Sequence, residues 1–529
     1  MISLGYLLRH PRSIQIGDTC FFSSKYPSQR TMDTFCWWLR EQDWFKPFFA
    51  EDNFGKLRHD QVTGRCLTAL YLLRLKQKYF DEMDDGREPD WVKSLSAEMV
   101  RYFDKEWTIE GAPNQSRIVP LLPFAGIGYV VFLDGFTEQT GEVFGLHRLM
   151  GVRQLASLHD PTLIGGKFRE CPLPFLHTRY IHVLDTMALA TLIGTRCGLN
   201  QGDLIHLRVA AQTHDALTPA GGDSVKVVDF DGLDEDKRYP ELFSRPEWPA
   251  FRDKYGLNEE KLAAIILGKG LLGRMLDFCD KLAYVGRDLW MFLGKNPCGH
   301  EASHLFQNEY DWIMHILKKD PYPCSVWSHA RIINNELVIT NKERLAKFLK
   351  LRALMFKILY NNASSRFFEA GFVAELAKIL YDDGTLTKKN LVEMGDEELF
   401  MIMENALGMP HHYIMGDVSH SEEPRVELFA TAEQALQSER EIARTRPEIM
   451  THLDIAPKPS VGCHYTFKVA EKGRVMPFAD ADPAMAAVIE GIFVDPKPFH
   501  VFSYNLAKLC RNQALAARLI SSRNKRIGI

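Results

Sequence analysis

The stretch HTRYIHVLDTMALATLIGTRCGLNQGDLIHLRVAAQTHDALTPAGGD, residues 177–223, decides how this chain is read. Ile181, Leu184, Ala188 and Leu192 recur at i, i+3, i+7 and i+11, the apolar stripe of a helix. His182 sits beside that stripe, near the helix start. Gly198 ends the helix, and Asn200, with Asp203 three residues on, can cap the next one. In that second helix Leu204, Leu207 and Ala211 make the core-facing line, and the next step of three lands on His214. The line therefore finishes in His214-Asp215, followed by Thr218-Pro219 and Gly221-Gly222, so two ligand-capable side chains stand at an opening in the packing.

A His-Asp pair by itself carries little information, because the chain has three. His59-Asp60 has no upstream helix supplying a second histidine, and His159-Asp160 runs at once into Pro161, which reads as a loop. Only His214-Asp215 closes an amphipathic helix preceded by another helix with its own histidine. A third helix, RMLDFCDKLAYVGRDLWMF (274–292), completes the set. Phe278, Leu282, Val285 and Leu289 form its apolar stripe. Asp280, Tyr284 and Asp288 lie at i, i+4 and i+8 on another face, a row of roughly 12 Å at about 1.5 Å per residue. Lys281 and Arg287 flank that row. Its ordinary reading is a solvated charged face; its functional reading is a helix that grips a nucleotide.

His182, His214, Asp215 and Asp280 together offer two neutral imidazoles and two carboxylates. That mixed nitrogen and oxygen set suits one divalent transition metal (Mn, Fe, Co or Zn) better than Mg or Ca, whose sites are all oxygen. It leaves coordination positions for a water and a phosphate oxygen.

Outward from this stretch, the 529 residues allow about three domains at roughly 150 residues each. The 46% hydrophobic and 25% charged composition is that of a globular chain. The 64 Lys+Arg against 68 Asp+Glu leave a net charge of −4, so no basic excess invites a nucleic-acid partner. Ten cysteines without a C-x-x-C pair argue against a zinc ribbon or a disulfide framework and for a reducing compartment. MISLGYLLRH is too short in apolar residues for a signal peptide. The apolar run Ile118–Leu133 is broken by Pro120, Pro123, Gly126 and Gly128 and falls short of the about 20 residues a membrane span needs. A soluble, cytoplasmic protein without a membrane partner is the expectation.

Residues 1–140 mix aromatic-rich helical stretches (Phe35-Cys36-Trp37-Trp38, Trp44-Phe45) with a Pro/Gly-punctuated segment near 112–135. Helices are expected from 141 to 300, interrupted by a polar stretch from Pro219 to Pro249, and again over Ala346–Tyr360 and Phe367–Tyr381. Gly408-Met409-Pro410 reads as a helix stop. Beyond it Val426–Phe429, Tyr465–Ala470 and Gly491–Val494 are expected as short strands. Asp229-Phe-Asp231-Gly-Leu-Asp234 lacks the spacing of a calcium loop, Gly268-Lys269-Gly270 lacks a phosphate-loop pattern, and His411-His412 with His420 reads as an exposed loop.

The ordered pattern Arg179-x-x-His182, His214-Asp215, Asp280 resembles the HD-domain phosphohydrolase superfamily, and most closely its dNTP triphosphohydrolase branch. LHRLMGVRQLASL (146–158), DKLAYVGRD (280–288) and ARIINNELVITNKERLAKFLKLRALMFKILYNN (330–362) are similar to further segments of that branch, so the likeness spans about residues 142–405. It implies a mainly α fold: an HD-domain helical core at 141–300, its helical continuation at 301–408 and a small α+β C-terminal region at 409–529. Residues 1–140 form an N-terminal region to which no role is attached. The resemblance implies that His182, His214, Asp215 and Asp280 hold the metal, while Mg can accompany the nucleotide. It implies that Arg179, Lys281 and Arg352 contact the triphosphate, and that Tyr284 and Asp288 contact sugar and phosphate. Gln154 and Leu155 would lie against the sugar, and Tyr360 with Asn361 near sugar or base. The expected reaction is dNTP plus water giving deoxynucleoside and triphosphate in a homo-oligomer. Other HD-type nucleotidase or phosphodiesterase chemistry, and a nucleotide sensor without turnover, are the alternatives. The chain departs from the branch in one place: Thr218 and Asp223 stand where the branch has acid–base histidines, with Asp223, Asp229, Asp231 or Glu247 as stand-ins.

Overall fold

A computed structural model of the chain describes residues 114–120, 124–125, 129–155, 177–295, 312–317, 323–361, 366–408, 425–455, 467–471, 473–493, 497–506 and 511–528, with Asp320 and four two-residue strands besides. The tryptophan pair at 37–38, both other His-Asp pairs, and His411, His412 and His420 lie outside the described residues. The described part is mainly α with small sheets. Its contacts divide it into two compact units, one made of 1–144, 181–213 and 245–290, the other of 145–180, 214–244 and 291–529.

The described residues of the first unit include an antiparallel hairpin, β1 (Asn114–Pro120) and β2 (Tyr129–Asp134), where the sequence shows its Pro/Gly-punctuated segment. Helices α1 (Phe136–Val143), α2 (Arg179–Arg196), α3 (Gln201–Thr213), α4 (Trp248–Tyr255), α5 (Glu259–Ile266) and α6 (Gly270–Lys295) follow. The helix ends obey local chemistry. Gly198 takes φ +72° just beyond α2, and the Asp203 amide donates to Asn200 Oδ1 at 2.9 Å to cap α3.

The stripes read from the sequence are narrower than the buried surface. Residues 179–194 of α2 and Leu204–Thr213 of α3 are buried on every side. Such burial is tolerable because the polar side chains find partners inside. Thr186 and Thr191 donate to the carbonyls four residues back at 2.9 and 2.8 Å, and Thr213 does the same at 2.7 Å. Arg208 lies 5.2 Å from the Phe136 ring centre and Gln212 donates to Thr137 O at 2.8 Å, which fixes α3 to α1. At Gly194 a Cβ would stand 2.7 Å from Leu204 Cδ1 and 3.1 Å from Leu199 Cδ1, so a larger residue here would make these leucine side chains shift. His206 is a structural histidine. It accepts the Asn258 amide at 2.9 Å and meets Gly202 O at 2.6 Å, and burial holds its pKa below the usual value.

The second unit carries π-helical turns over Phe356–Tyr360 and Phe367–Val373, and two sheets. Strands β3 (Ala330–Ile333) and β4 (Glu336–Ile339) form a hairpin turning on Asn334-Asn335, both at positive φ, which asparagine tolerates better than most residues other than glycine. Strand β7 (Lys468–Glu471) adds parallel to β4, and β8 (Arg474–Pro477) antiparallel to β7. A second sheet orders β6 (Met450–Ile455), β9 (Phe499–Tyr504) and β5 (Arg425–Phe429), all antiparallel. Helices α7 (Lys342–Met355), α8 (Ala374–Asp382), α9 (Asp396–Leu407, ended by Gly408 at φ +67°), α10 (Ala432–Thr445), α11 (Pro483–Phe493) and α12 (Gln513–Arg526) complete it. One expectation is corrected here. Gly491–Phe493 closes a helix, not a strand, because Ala486, Ile489 and Ile492 bury at a spacing of three behind a Pro483 N-terminus. The polar stretch from Pro219 to Pro249 is likewise not loop; it folds into short helical turns at 223–226, 230–233, 235–238 and 239–244.

A three-membered ionic group joins the π-turn to β6. Arg366 makes a bidentate pair with Asp454 (2.9 and 2.8 Å) and a second bond to Glu369 at 2.6 Å. One guanidinium cannot neutralise two carboxylates. Burial therefore raises the Glu369 carboxyl to about 7, with Arg366 opposing and Asp223 and Asp454 adding to the rise. A folded-state value above the ordinary 4.5 means stability that is full below about pH 4.5 is lost as pH rises through about 7. Glu369→Gln, which mimics the protonated form, is therefore expected to gain stability over the parent chain between about pH 5 and pH 8. Urea unfolding at the two pH values checks this, and an unchanged difference would count against it.

Candidate metal centre

Each site residue arrives on a separate local rule. Val152 O accepts the Arg179 amide at 2.8 Å, Gln154 N donates to His177 O at 2.9 Å, and Arg153 pairs with Thr178 as an antiparallel bridge. The segment carrying Gln154 and Leu155 thus lies beside the entry to α2. In the first turn of α2 Arg179 donates to Asp215 Oδ2 at 2.7 Å, both side chains being buried. Burial opposes its charge, but Asp215, then Asp223 and Glu235, hold the guanidinium protonated above its usual range. His182 follows one turn later, and His214 Nε2 lies 3.9 Å from Asp215 Oδ2.

His182, His214 and Asp215 each offer one ligand atom, and these atoms lie within 4.8 Å of one another. Two imidazoles and a carboxylate at that spacing can hold a divalent ion. Asp280, the fourth expected ligand, is not in that trio; its Oδ1 lies 3.0 Å from His182 Nε2. A metal at that nitrogen would take the lone pair that faces Asp280 here. The buried atoms Gln154 Oε1, Arg179 Nε and Thr218 Oγ1 have no hydrogen-bond partner in the described structure, which fits a site that takes up a further polar group.

The remaining expected residues sort by element. On α6, Lys281 pairs with Asp277, one turn back on its own helix. Asp288 is 1% exposed, so the polar row of α6 is not a solvated face. Arg352 is buried with its guanidinium 4.6 Å from the Phe356 ring centre. Tyr360 packs edge-on against Phe356 at 4.8 Å, and Asn361 follows, its amide bonded to Phe356 O. Of the acid–base stand-ins, Asp229 caps the turn at 230–233 and accepts from Tyr381, whereas Asp231 pairs with Lys237 in solvent. Glu247 is an exposed residue preceding α4. Asp223 binds Lys226 at 2.7 Å; desolvation is outweighed by Lys226 and then Arg179, which hold its carboxyl below the usual range.

Three residues escaped sequence reasoning. Lys226 bridges Asp223 and Glu235 (2.6 Å to the latter). Desolvation, then Glu235 and Asp234, push the Asp236 carboxyl up to about 6, with His214 opposing. Asp185, one turn beyond His182, receives Arg287 Nε and Nη2 at 2.9 and 2.8 Å, both side chains nearly inaccessible. This fork fixes α2 against α6 next to the His182–Asp280 contact. The i, i+3 spacing of His182 and Asp185 was the available signal, but nothing in one sequence names the partner.

No known family's sequence profile matches the chain, and no curated protein is similar to it in sequence. Solved structures do match. A phosphohydrolase from Bacteroides thetaiotaomicron aligns with a TM-score of 0.50 and 13% identity, over 72% of this chain and 97% of that one. A hypothetical protein from Aquifex aeolicus aligns with a TM-score of 0.49 and 14% identity, over 74% and 97%. The chain shares the fold of the first. None of its described helices is long and apolar enough to cross a membrane.

Removing one partner of the Asp185–Arg287 fork leaves an uncompensated buried charge. Asp185→Ala is expected to cost about 3–5 kcal/mol, whereas Asp185→Leu with Arg287→Met recovers most of it. Denaturant unfolding of the single and double variants is the check; equal losses would remove the buried-charge argument.

Proposed function

We propose that the chain is a metal-dependent nucleotide phosphohydrolase whose substrate is a deoxynucleoside triphosphate, cleaved to deoxynucleoside and triphosphate. The observation that carries this reading is the His182, His214, Asp215 trio with Asp280 on the His182 ring. The phosphohydrolase that shares the fold adds support. A divalent ion bound there would lower the pKa of its water and polarise the phosphate.

The chain's own side chains account for the rest. Arg179 orients the Asp215 carboxylate through its bond to Oδ2, so that it can take a hydrogen bond from the attacking water. The water oxygen bonds to the α-phosphorus, the bond from phosphorus to the 5′-oxygen breaks, and that oxygen leaves as the nucleoside hydroxyl after gaining a proton. Arg179, Lys281 and Arg352 are the cations assigned to the phosphate oxygens. Tyr284 and Asp288 are assigned to the sugar and nearby phosphate, Gln154 and Leu155 to the sugar face, and Tyr360 with Asn361 to sugar or base. Asp223, held ionised beside Lys226, suits accepting a proton.

A second reading is favoured by one feature, the absence of histidine at 218 and 223. Thr218 is fully buried and Asp223 is tied to Lys226, so the chain is then a nucleotide sensor that binds without turnover. Nucleotide at about 100 times its Kd would stabilise such a protein by about 2.7 kcal/mol with no product formed.

Incubation with dNTPs, NTPs and NMPs in Mn, Co or Mg, with products separated by chromatography, tests the proposal. Inorganic triphosphate release from dNTPs is the expected result. Elemental analysis of the purified chain beside His214→Ala should show metal in the first and little in the second. Equal metal content in both would end the reading.

A further inference from the structure

His214-Asp215 are followed by a loop whose backbone is restrained at four points. Arg148, on the 3-10 turn Leu146–Gly151, spreads its guanidinium over three carbonyls: Thr218 O at 2.6 Å, Ala216 O at 3.2 Å and Met394 O at 3.3 Å. The first two belong to the chain just beyond α3. Ala220 N donates to Leu391 O at 2.8 Å. The Asp396 carboxylate, 1% exposed, accepts Gly221 N on Oδ1 and Arg153 N on Oδ2, each at 2.8 Å. Arg153 is the residue bridged to Thr178, immediately before Arg179. One carboxylate at the first residue of α9 therefore ties the chain that leads into Arg179 to the chain that leaves His214-Asp215. The fit is close: a Cβ on Gly395 would stand 3.0 Å from Gly151 O.

Resting on the metal-site reading above, we infer that Arg148 and Asp396 are positioning residues, a backbone clamp that holds His214 and Asp215 at ligating distance without touching metal or substrate. Both bond to backbone alone in these contacts, so their effect is on where the ligands stand and not on the charge of the ligands. Groups that orient metal ligands typically change affinity by 10–100-fold when lost.

The test uses the full chain, Co2+ alone as the probe, and two readouts: Co2+ affinity with its visible spectrum, and amide exchange of residues 214–222. Arg148→Ala and Asp396→Ala are expected to weaken Co2+ binding on the order of 10–100-fold, shift the Co2+ spectrum and speed exchange in 214–222. Arg148→Lys keeps a donor and Asp396→Asn keeps one acceptor oxygen, so both should fall between these and the parent; they also serve should the alanine variants fail to fold. Leu345→Ala, a core truncation in α7, should lower Tm while leaving affinity, spectrum and that exchange as in the parent. Parent-like Co2+ binding, spectrum and exchange in the clamp variants would overturn the inference while the metal site stands. If instead the parent chain and His214→Ala bind Co2+ equally poorly, the metal reading falls, and the exchange arm still judges the clamp by whether 214–222 alone loosens.

Discussion

The buried pair between Arg179 and Asp215 is the constraint on which the rest of the site depends. Two ionised groups with almost no access to water meet at 2.7 Å, an arrangement whose desolvation cost offsets much of its attraction. Its consequence is therefore positional more than stabilising. Arg179 opens α2 one turn before His182, and Asp215 follows His214 directly. The ligand atoms of His182, His214 and Asp215 lie within 4.8 Å of one another. A neutral pair of similar volume would pack as well but would not place a carboxylate among the ligand atoms of His182 and His214.

Fixing such a pair requires rigid surroundings, and the chain supplies them with polar contacts that never reach solvent. Thr186, Thr191 and Thr213 bond back to their own helices, the Asp185–Arg287 fork holds α2 to α6, and Gln212 holds α3 to α1. Each is a buried polar group with its partner in place, and together they specify one geometry where apolar packing alone would tolerate several. Around His214-Asp215 the acidic residues then diverge: Lys226 keeps Asp223 ionised, while crowding raises Asp236.

Much of this was legible in the sequence. The helices ending at Gly198 and beginning after Asn200, the stop at Gly408, and the α6 stripe of Phe278, Leu282, Val285 and Leu289 are written in residues close along the chain. The candidate ligands were read from the same stretch, and the structure brings the ligand atoms of His182, His214 and Asp215 within 4.8 Å of one another, with Asp280 outside that trio beside the His182 ring. Gly491–Phe493 was misread because a short apolar run flanked by glycine carries too few residues to separate a period of two from one of 3.6. The buried perimeters of α2 and α3 were misjudged because threonine and arginine look like surface when their partners are unknown.

Sequence alone settled the local terms: where helices start and stop, which faces are apolar, and which side chains are able to ligate. These depend on torsional preferences and on neighbours within about a turn of helix. Tertiary structure alone decided who meets whom: Arg287 with Asp185, Arg148 with the carbonyls after Asp215, Asp396 with Gly221 and Arg153, and Asp280 with the His182 ring. The reason is physical. Hydrogen bonds and ion pairs act over a few ångströms and take any partner of the right polarity, so their identity is fixed only when the packed core has brought distant segments together.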